Sequence, residues 1–258
     1  MSIVLFEQQG HIGIVTLNRP EVMNAFNFEM LHLLNEFVES IKINPEIRIV
    51  LFQASGEKAF SVGADLKERK TLPPTLVNRN LNKIGELLTN IEQLPQPTIC
   101  LINGYAFGGG LELALACDFR IATTNSVVGL TETSLGIIPG AGGTQRLPRI
   151  VGETKALELI LTAKKIQAEE GLAIGLFTSV VEKEQLTSFT SSFVEKILQN
   201  APIAVQQAKY AVKHGMKTDI HTGLQIERKA YEMTLPTLDR QEALTAFAEK
   251  RKPVFIGK

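Results

Sequence analysis

Asn103-Gly104-Tyr105-Ala106-Phe107-Gly108-Gly109-Gly110-Leu111-Glu112-Leu113 is the stretch on which the fold turns. Three successive glycines run into an apolar, helix-like segment, Leu111 to Cys117. β-like runs flank it, Thr98 to Ile102 before and Phe119 to Ala122 after. Strands separated by a helix need a crossover, which favours parallel pairing with helices packed over the sheet. The glycine–helix junction leaves backbone N–H groups free at the positive end of the helix dipole. Such donors suit an oxyanion, and Glu112 stands one turn on as a carboxylate able to move protons. The junction points to an enzyme acting on an activated carbonyl, although three glycines could also serve only close packing or an unusual backbone angle.

Working outward, Ile12 to Leu17 reads as a strand closed by Asn18-Arg19-Pro20. Met30, Leu33, Leu34, Phe37, Val38 and Ile41 then form the apolar stripe of a helix that Asn44-Pro45 ends. Ile47 to Phe52 is the next strand, and a helix over Leu76 to Ile91 stops at Pro95 and Pro97. From Glu184 onward the pattern is helical: Ser188 to Leu198, Pro202 to His214, Gly223 to Met233 and Arg240 to Lys250. The expected organisation is an α/β catalytic core over 1–195 and an all-helical region over 196–258, serving as a lid or an oligomerisation element.

A chain of 258 residues, 44% hydrophobic and 21% charged, is long enough for a substantial core. Its zero formal net charge gives no broad attraction to nucleic acid or an anionic membrane. Met1 to Glu7 lacks the basic and apolar regions of a signal peptide, and no apolar run is long enough to span a bilayer. The expected location is the cytoplasm. Cys100 and Cys117 sit in apolar segments as small buried hydrophobes, and His11, His32, His214 and His221 lack metal-ligand spacing, so no metal is expected.

Two further segments carry chemistry. In Ala59-Phe60-Ser61-Val62-Gly63-Ala64-Asp65-Leu66-Lys67-Glu68, a strand-like start gives way to small residues and a helix that Asp65 can cap. It offers a second backbone donor beside the Gly108-Gly109-Gly110 turn. Glu132, in Gly129-Leu130-Thr131-Glu132-Thr133-Ser134-Leu135-Gly136, lies between glycine-containing turns and by itself reads as a solvated loop acid. Glu112 has almost wholly apolar neighbours, and partial burial would raise its pKa. No Gly-Lys-Ser/Thr follows the glycines, and Pro139-Gly140-Ala141-Gly142-Gly143-Thr144 has the wrong spacing for a dinucleotide site. Nucleoside triphosphates and nicotinamides are thereby disfavoured.

Several long motifs in order extend this reading: Leu17-Asn18-Arg19-Pro20 with Asn24-Ala25-Phe26, Phe60 to Glu68, Asn103 to Leu113, Leu135 to Leu147, and Phe247-Ala248-Glu249-Lys250-Arg251. On these the chain resembles the crotonase (enoyl-CoA hydratase/isomerase) superfamily over nearly its whole length. The resemblance implies a spiral of repeated β-β-α units with a helical C-terminal region that builds trimers or hexamers and covers coenzyme A. It implies an acyl-CoA thioester substrate and no cofactor beyond the coenzyme A of that substrate. The oxyanion-hole positions fall on the N–H groups of Ala64 and Gly109, and the two hydratase glutamates on Glu112 and Glu132. Ala64, Asp65, Leu66, Lys67, Phe247 and Lys250 match coenzyme A positions. Lys67 and Lys250 read equally as solvated charges, and Phe247 as helix core.

Possession of both acids favours an enoyl-CoA hydratase over an isomerase. Gly63 to Arg69, Gly129 to Thr133 and Leu235 to Arg240 are similar to methylglutaconyl-CoA hydratases of leucine breakdown. A substrate with a distal carboxylate would require a cation or several donors in the acyl pocket, and the sequence does not say which residue provides it. Some relatives of that hydratase bind RNA through a lysine-rich first helix. Here Phe28 to Asn44 holds Lys42 against Glu29, Glu36 and Glu39, which disfavours RNA.

Overall fold

The computed structural model describes residues 2–258, and in it the strands divide between two sheets. Strands β1 (Val4–Gln9) and β2 (Ile12–Leu17) form an antiparallel hairpin. The chain then passes through α1 (Phe28–Ile43), β3 (Ile49–Ala54), β4 (Ala59–Ser61), α2 (Leu66–Thr71) and α3 (Pro74–Glu92). Next come β5 (Thr98–Ile102), β6 (Tyr105–Phe107), α4 (Gly109–Ala116), β7 (Phe119–Thr123) and β8 (Val127–Gly129). Helices α5 (Gly143–Val151) and α6 (Glu153–Leu161), β9 (Ile166–Gln167), α7 (Ala168–Ala173) and β10 (Ser179–Val181) follow.

The larger sheet has the order β1-β2-β3-β5-β7-β10 and the smaller one β4-β6-β8-β9. From β2 to β10 the larger sheet is parallel, and so are β4, β6 and β8 in the smaller. Each repeat therefore gives one strand to the large sheet and the next to the small one: β3 and β4, β5 and β6, β7 and β8. Helical segments connect the first two repeats onward. This is the expected spiral of β-β-α units.

Burial explains the pairing. Val50, Phe52, Cys100, Ile102 and Ala122 are enclosed within one core cluster. Met30, Leu31, Leu34, Val38 and Ile41 of α1 and Ile84, Leu87, Leu88 and Ile91 of α3 are buried with them. Asn27 caps α1 by accepting from the Met30 N–H at 2.9 Å. At the other end of α4, the buried Arg120 guanidinium donates to the carbonyls of Ala114 and Cys117 at 3.2 and 2.9 Å. Those bonds satisfy carbonyls that a helix end leaves open, while the N-terminus of α4 at Gly109 follows directly on the end of β6 at Phe107.

Compact units are formed by residues 2–94 with 98–190, and by 95–97 with 191–258. The second holds α8 (Leu186–Leu198) for most of its length, α9 (Pro202–Gly215), α10 (Ile220–Glu232) and α11 (Leu238–Glu249). Its C-terminal segment is held by Asp239, which accepts from the N–H groups of Ile256 and Gly257 at 2.7 and 2.9 Å. Among the described residues no helix is long and apolar enough to cross a membrane.

Candidate active site

Because β4, β6 and β8 run parallel side by side, their C-terminal ends open in one direction. The segments leaving those ends carry Ala64, Gly109 and Glu132. Ligands of parallel α/β sheets commonly bind at such strand ends. Ladder register does the alignment: Phe107 pairs with Gly129, and the Gly108 N–H continues the pairing by donating to the Gly129 carbonyl at 3.0 Å. That brings the short 3-10 turn Glu132–Leu135 over Gly108. A Cβ at Gly108 would stand 2.9 Å from Glu132 Oε1, so the carboxylate lies directly against a backbone that only glycine leaves open.

Ala64 forms an isolated parallel bridge with Phe26. The Phe26 N–H donates to the Gly63 carbonyl at 2.7 Å, and the Asp65 N–H donates to the Phe26 carbonyl at 2.9 Å. In that pairing the bonds go to the residues on either side of Ala64, whose own N–H is turned away from Phe26. Gly63 has φ of +81°, and a Cβ on it would come within 2.6 Å of the Gly109 nitrogen. The Ala64 loop therefore abuts the start of α4. Gly109 opens that helix without a side-chain cap, and its N–H is one of those a helix leaves unpaired internally.

Ala64, Gly109, Glu112 and Glu132 line one cleft of about 660 Å³ with Leu66. Glu112 is 3% exposed. Its Oε1 accepts from the N–H groups of Ala141 and Gly143, both at 2.8 Å. Arg146 holds that loop by donating to the Ala141 carbonyl at 2.9 Å, while its other nitrogens donate to Glu92 at 3.0 and 2.8 Å. Burial pushes the Glu112 pKa up, and the two N–H groups and the Arg146 charge pull against it.

Glu132 has a different environment. Burial raises its pKa to about 7, with the negative field of Glu112 adding to the rise. Its Oε2 is buried and accepts no hydrogen bond from any described residue. The sequence reading of a solvated loop acid thus gives way to a half-enclosed carboxyl group. A folded pKa of about 7 against an ordinary 4.5 sets the sign of a stability effect. Below about 4.5 the group is neutral in both states; between 4.5 and 7 the unfolded chain ionises first, and stability falls as pH rises. Glu132→Gln is therefore expected to melt above the wild type at pH 8, with the gap closing toward pH 4.5. Melting curves across that range check it, and a constant gap would contradict the raised pKa.

The remaining sequence candidates divide. Asp65 caps α2 by accepting from the N–H groups of Lys67 and Glu68 at 3.1 and 3.2 Å, and it pairs with Arg19 at 3.2 Å. Lys67 is exposed on that helix. Phe247 and Lys250 belong to the second unit: Phe247 is 86% exposed, which removes the helix-core alternative, and Lys250 closes α11 with φ of +56°. Ala141, Gly143 and Arg146, which orient Glu112, were not singled out as site residues from sequence. Their signal was the motif Leu135 to Leu147, which holds the glycine-rich run Pro139 to Thr144 and Arg146.

The enoyl-CoA hydratase/isomerase family model matches residues 7–258. The chain belongs to that family. Its sequence is 42% identical to the short-chain-enoyl-CoA hydratase of Clostridium acetobutylicum over 253 residues, covering 98% of this chain and 97% of that one. It is 40% identical to human mitochondrial methylglutaconyl-CoA hydratase over 257 residues, 98% of this chain and 76% of that protein. The crystal structure of an enoyl-CoA hydratase from Bacillus anthracis superposes with a TM-score of 0.98 at 44% identity, covering 100% of both chains.

Proposed function

We propose that this member of the family is an enoyl-CoA hydratase, a hydro-lyase that adds water reversibly across the 2,3 double bond of a 2-enoyl-CoA thioester. One observation carries the reading: the buried Glu112 and the half-enclosed Glu132, in unlike environments, line the same cleft as Ala64 and Gly109. In the reaction the N–H groups of Ala64 and Gly109 donate to the thioester oxygen as it gains enolate charge. Glu112, whose Oε1 takes two N–H donors that oppose the burial raising its pKa, is assigned as the base. It takes a proton as the water oxygen bonds to C3. Glu132, whose pKa is held up near 7, is the acid and gives its proton to C2. Proton exchange with solvent returns both groups to their starting states.

An isomerase needs only one carboxylate to move a proton between carbons, so the paired acids favour hydration. Placement in leucine breakdown is the narrower reading, supported by the likeness to methylglutaconyl-CoA hydratase. Ala64, Asp65, Leu66 and Lys67 form the stretch assigned to the pantetheine and nucleotide of coenzyme A, and exposed Phe247 and Lys250 are assigned to its adenine and phosphates. Exposed apolar side chains on the helical unit, Val212, Met216, Tyr231 and Phe247 among them, support assembly into a homotrimer or hexamer.

Purified protein is expected to convert crotonyl-CoA to the 3-hydroxy thioester. Glu112→Gln should slow this by about 10²–10⁴-fold while binding of the saturated butyryl-CoA persists. Isomerisation of a 3-enoyl thioester without hydration would overturn the reading.

A further inference from the structure

Arg69 is the cation in the wall of the cleft that the proposed reaction leaves unused. It sits in the last turn of α2, half-buried, among the apolar side chains of Leu66, Leu81 and Ile84. The neighbouring acids are already engaged. Asp65 pairs with Arg19 at 3.2 Å and caps α2. Glu68 accepts from the Phe28 N–H at 3.2 and 3.3 Å and from Asn80 at 3.4 Å. Among the described residues, none forms an ion pair with Arg69. Together with Ala64, Leu81 and Ile84 it also lines a narrow recess of about 30 Å³ that adjoins the cleft.

We propose that Arg69 selects 2-enoyl thioesters whose acyl chain ends in a carboxylate. A half-buried guanidinium without an ion-pair partner is free to take an anion from a ligand, and its planar fork matches a carboxylate with two parallel N–H donations. The ligand it meets is the acyl group: Arg69 lines the cleft with Glu112 and Glu132, the groups assigned to the reacting carbons, whereas Lys67, assigned to the nucleotide end of coenzyme A, is not part of that lining. Discrimination runs both ways. A carboxylated chain neutralises the guanidinium, while a plain alkyl chain displaces its water and offers no partner.

The inference depends on the hydratase reading for the class of thioester, so its test separates binding from turnover. Titration calorimetry of the full chain with glutaryl-CoA and butyryl-CoA, both unreactive toward hydration, gives affinities for wild type, Arg69→Met and Arg69→Lys. Wild type is expected to favour glutaryl-CoA by about 10- to 100-fold, the range of a charge-assisted hydrogen bond. Arg69→Met should lose that preference and Arg69→Lys keep part of it. In parallel, the ratio of kcat/KM for glutaconyl-CoA over crotonyl-CoA should fall by a similar factor in Arg69→Met.

Equal weakening of both thioesters would overturn the proposal, because Arg69 would then serve the shared coenzyme A portion or the scaffold. So would a wild type without preference. Differential binding with no hydration of either enoyl thioester would uphold the role of Arg69 and remove the hydratase reading instead.

Discussion

Glu132→Gln is expected to lower kcat for hydration of crotonyl-CoA by about 10²–10⁴-fold, with affinity for butyryl-CoA nearly unchanged. The amide preserves shape and polarity but cannot release a proton to C2. Its pH behaviour separates this role from a purely structural one. With the Glu132 pKa near 7 and the group acting in its protonated form, wild-type kcat/KM in the hydration direction should fall as pH rises through about 7. The residual rate of the variant should show no such limb. A wild-type rate that instead rises through pH 7 would exchange the roles, making Glu132 the base and Glu112 the donor. Because each carboxyl feels the other, the limb belongs to the pair and shifts when Glu112 is changed. Near-normal turnover by Glu132→Gln would remove Glu132 from the chemistry altogether.

The contrast between the glutamates marks how far sequence could reach. Burial of Glu112 was legible because Leu111, Leu113, Ala114 and Leu115 surround it locally in one helix. Nothing local betrays Glu132. Its enclosure comes from the register of β6 against β8, a pairing between segments distant in sequence. Strands β6, β8 and β9 are only two or three residues long, too short for alternation to register, so the small sheet escapes pattern reading. The hairpin strand β1 escapes it as well, since Glu7-Gln8-Gln9 makes its second half polar and exposed. The stripe of α1 and the buried strands β5 and β7 stand out because they span many residues of consistent burial. For a substrate with a distal carboxylate, sequence also posed the need for a cation or several donors in the acyl pocket without locating them. The fold places Arg69 of α2 in the wall of the same cleft as Gly109 and Glu112 of α4, a juxtaposition that no spacing within α2 encodes.

Gly63→Ala is the variant expected to strike both oxyanion donors together. At φ of +81° an alanine is strained by roughly 1–3 kcal/mol before any contact is counted. Its Cβ would also lie 2.6 Å from the Gly109 nitrogen and 3.0 Å from the Phe107 carbonyl oxygen, both rigid backbone atoms. Relief comes only by pushing the Ala64 loop away from the start of α4, which spreads two N–H groups that must converge on one oxygen. Loss of a single such donor costs about 10²–10³ in kcat, so at least that loss is expected here. Gly10→Ala supplies the comparison, since Gly10 has φ of +58° with nothing within 4 Å of a Cβ, in the β1–β2 turn and outside the lining of the cleft. It should lower Tm by several degrees through backbone strain alone and leave kcat close to wild type. If Gly63→Ala lowered Tm comparably while retaining kcat, Ala64 and Gly109 would not be the donors, and the enolate oxygen would have to be held elsewhere in the cleft.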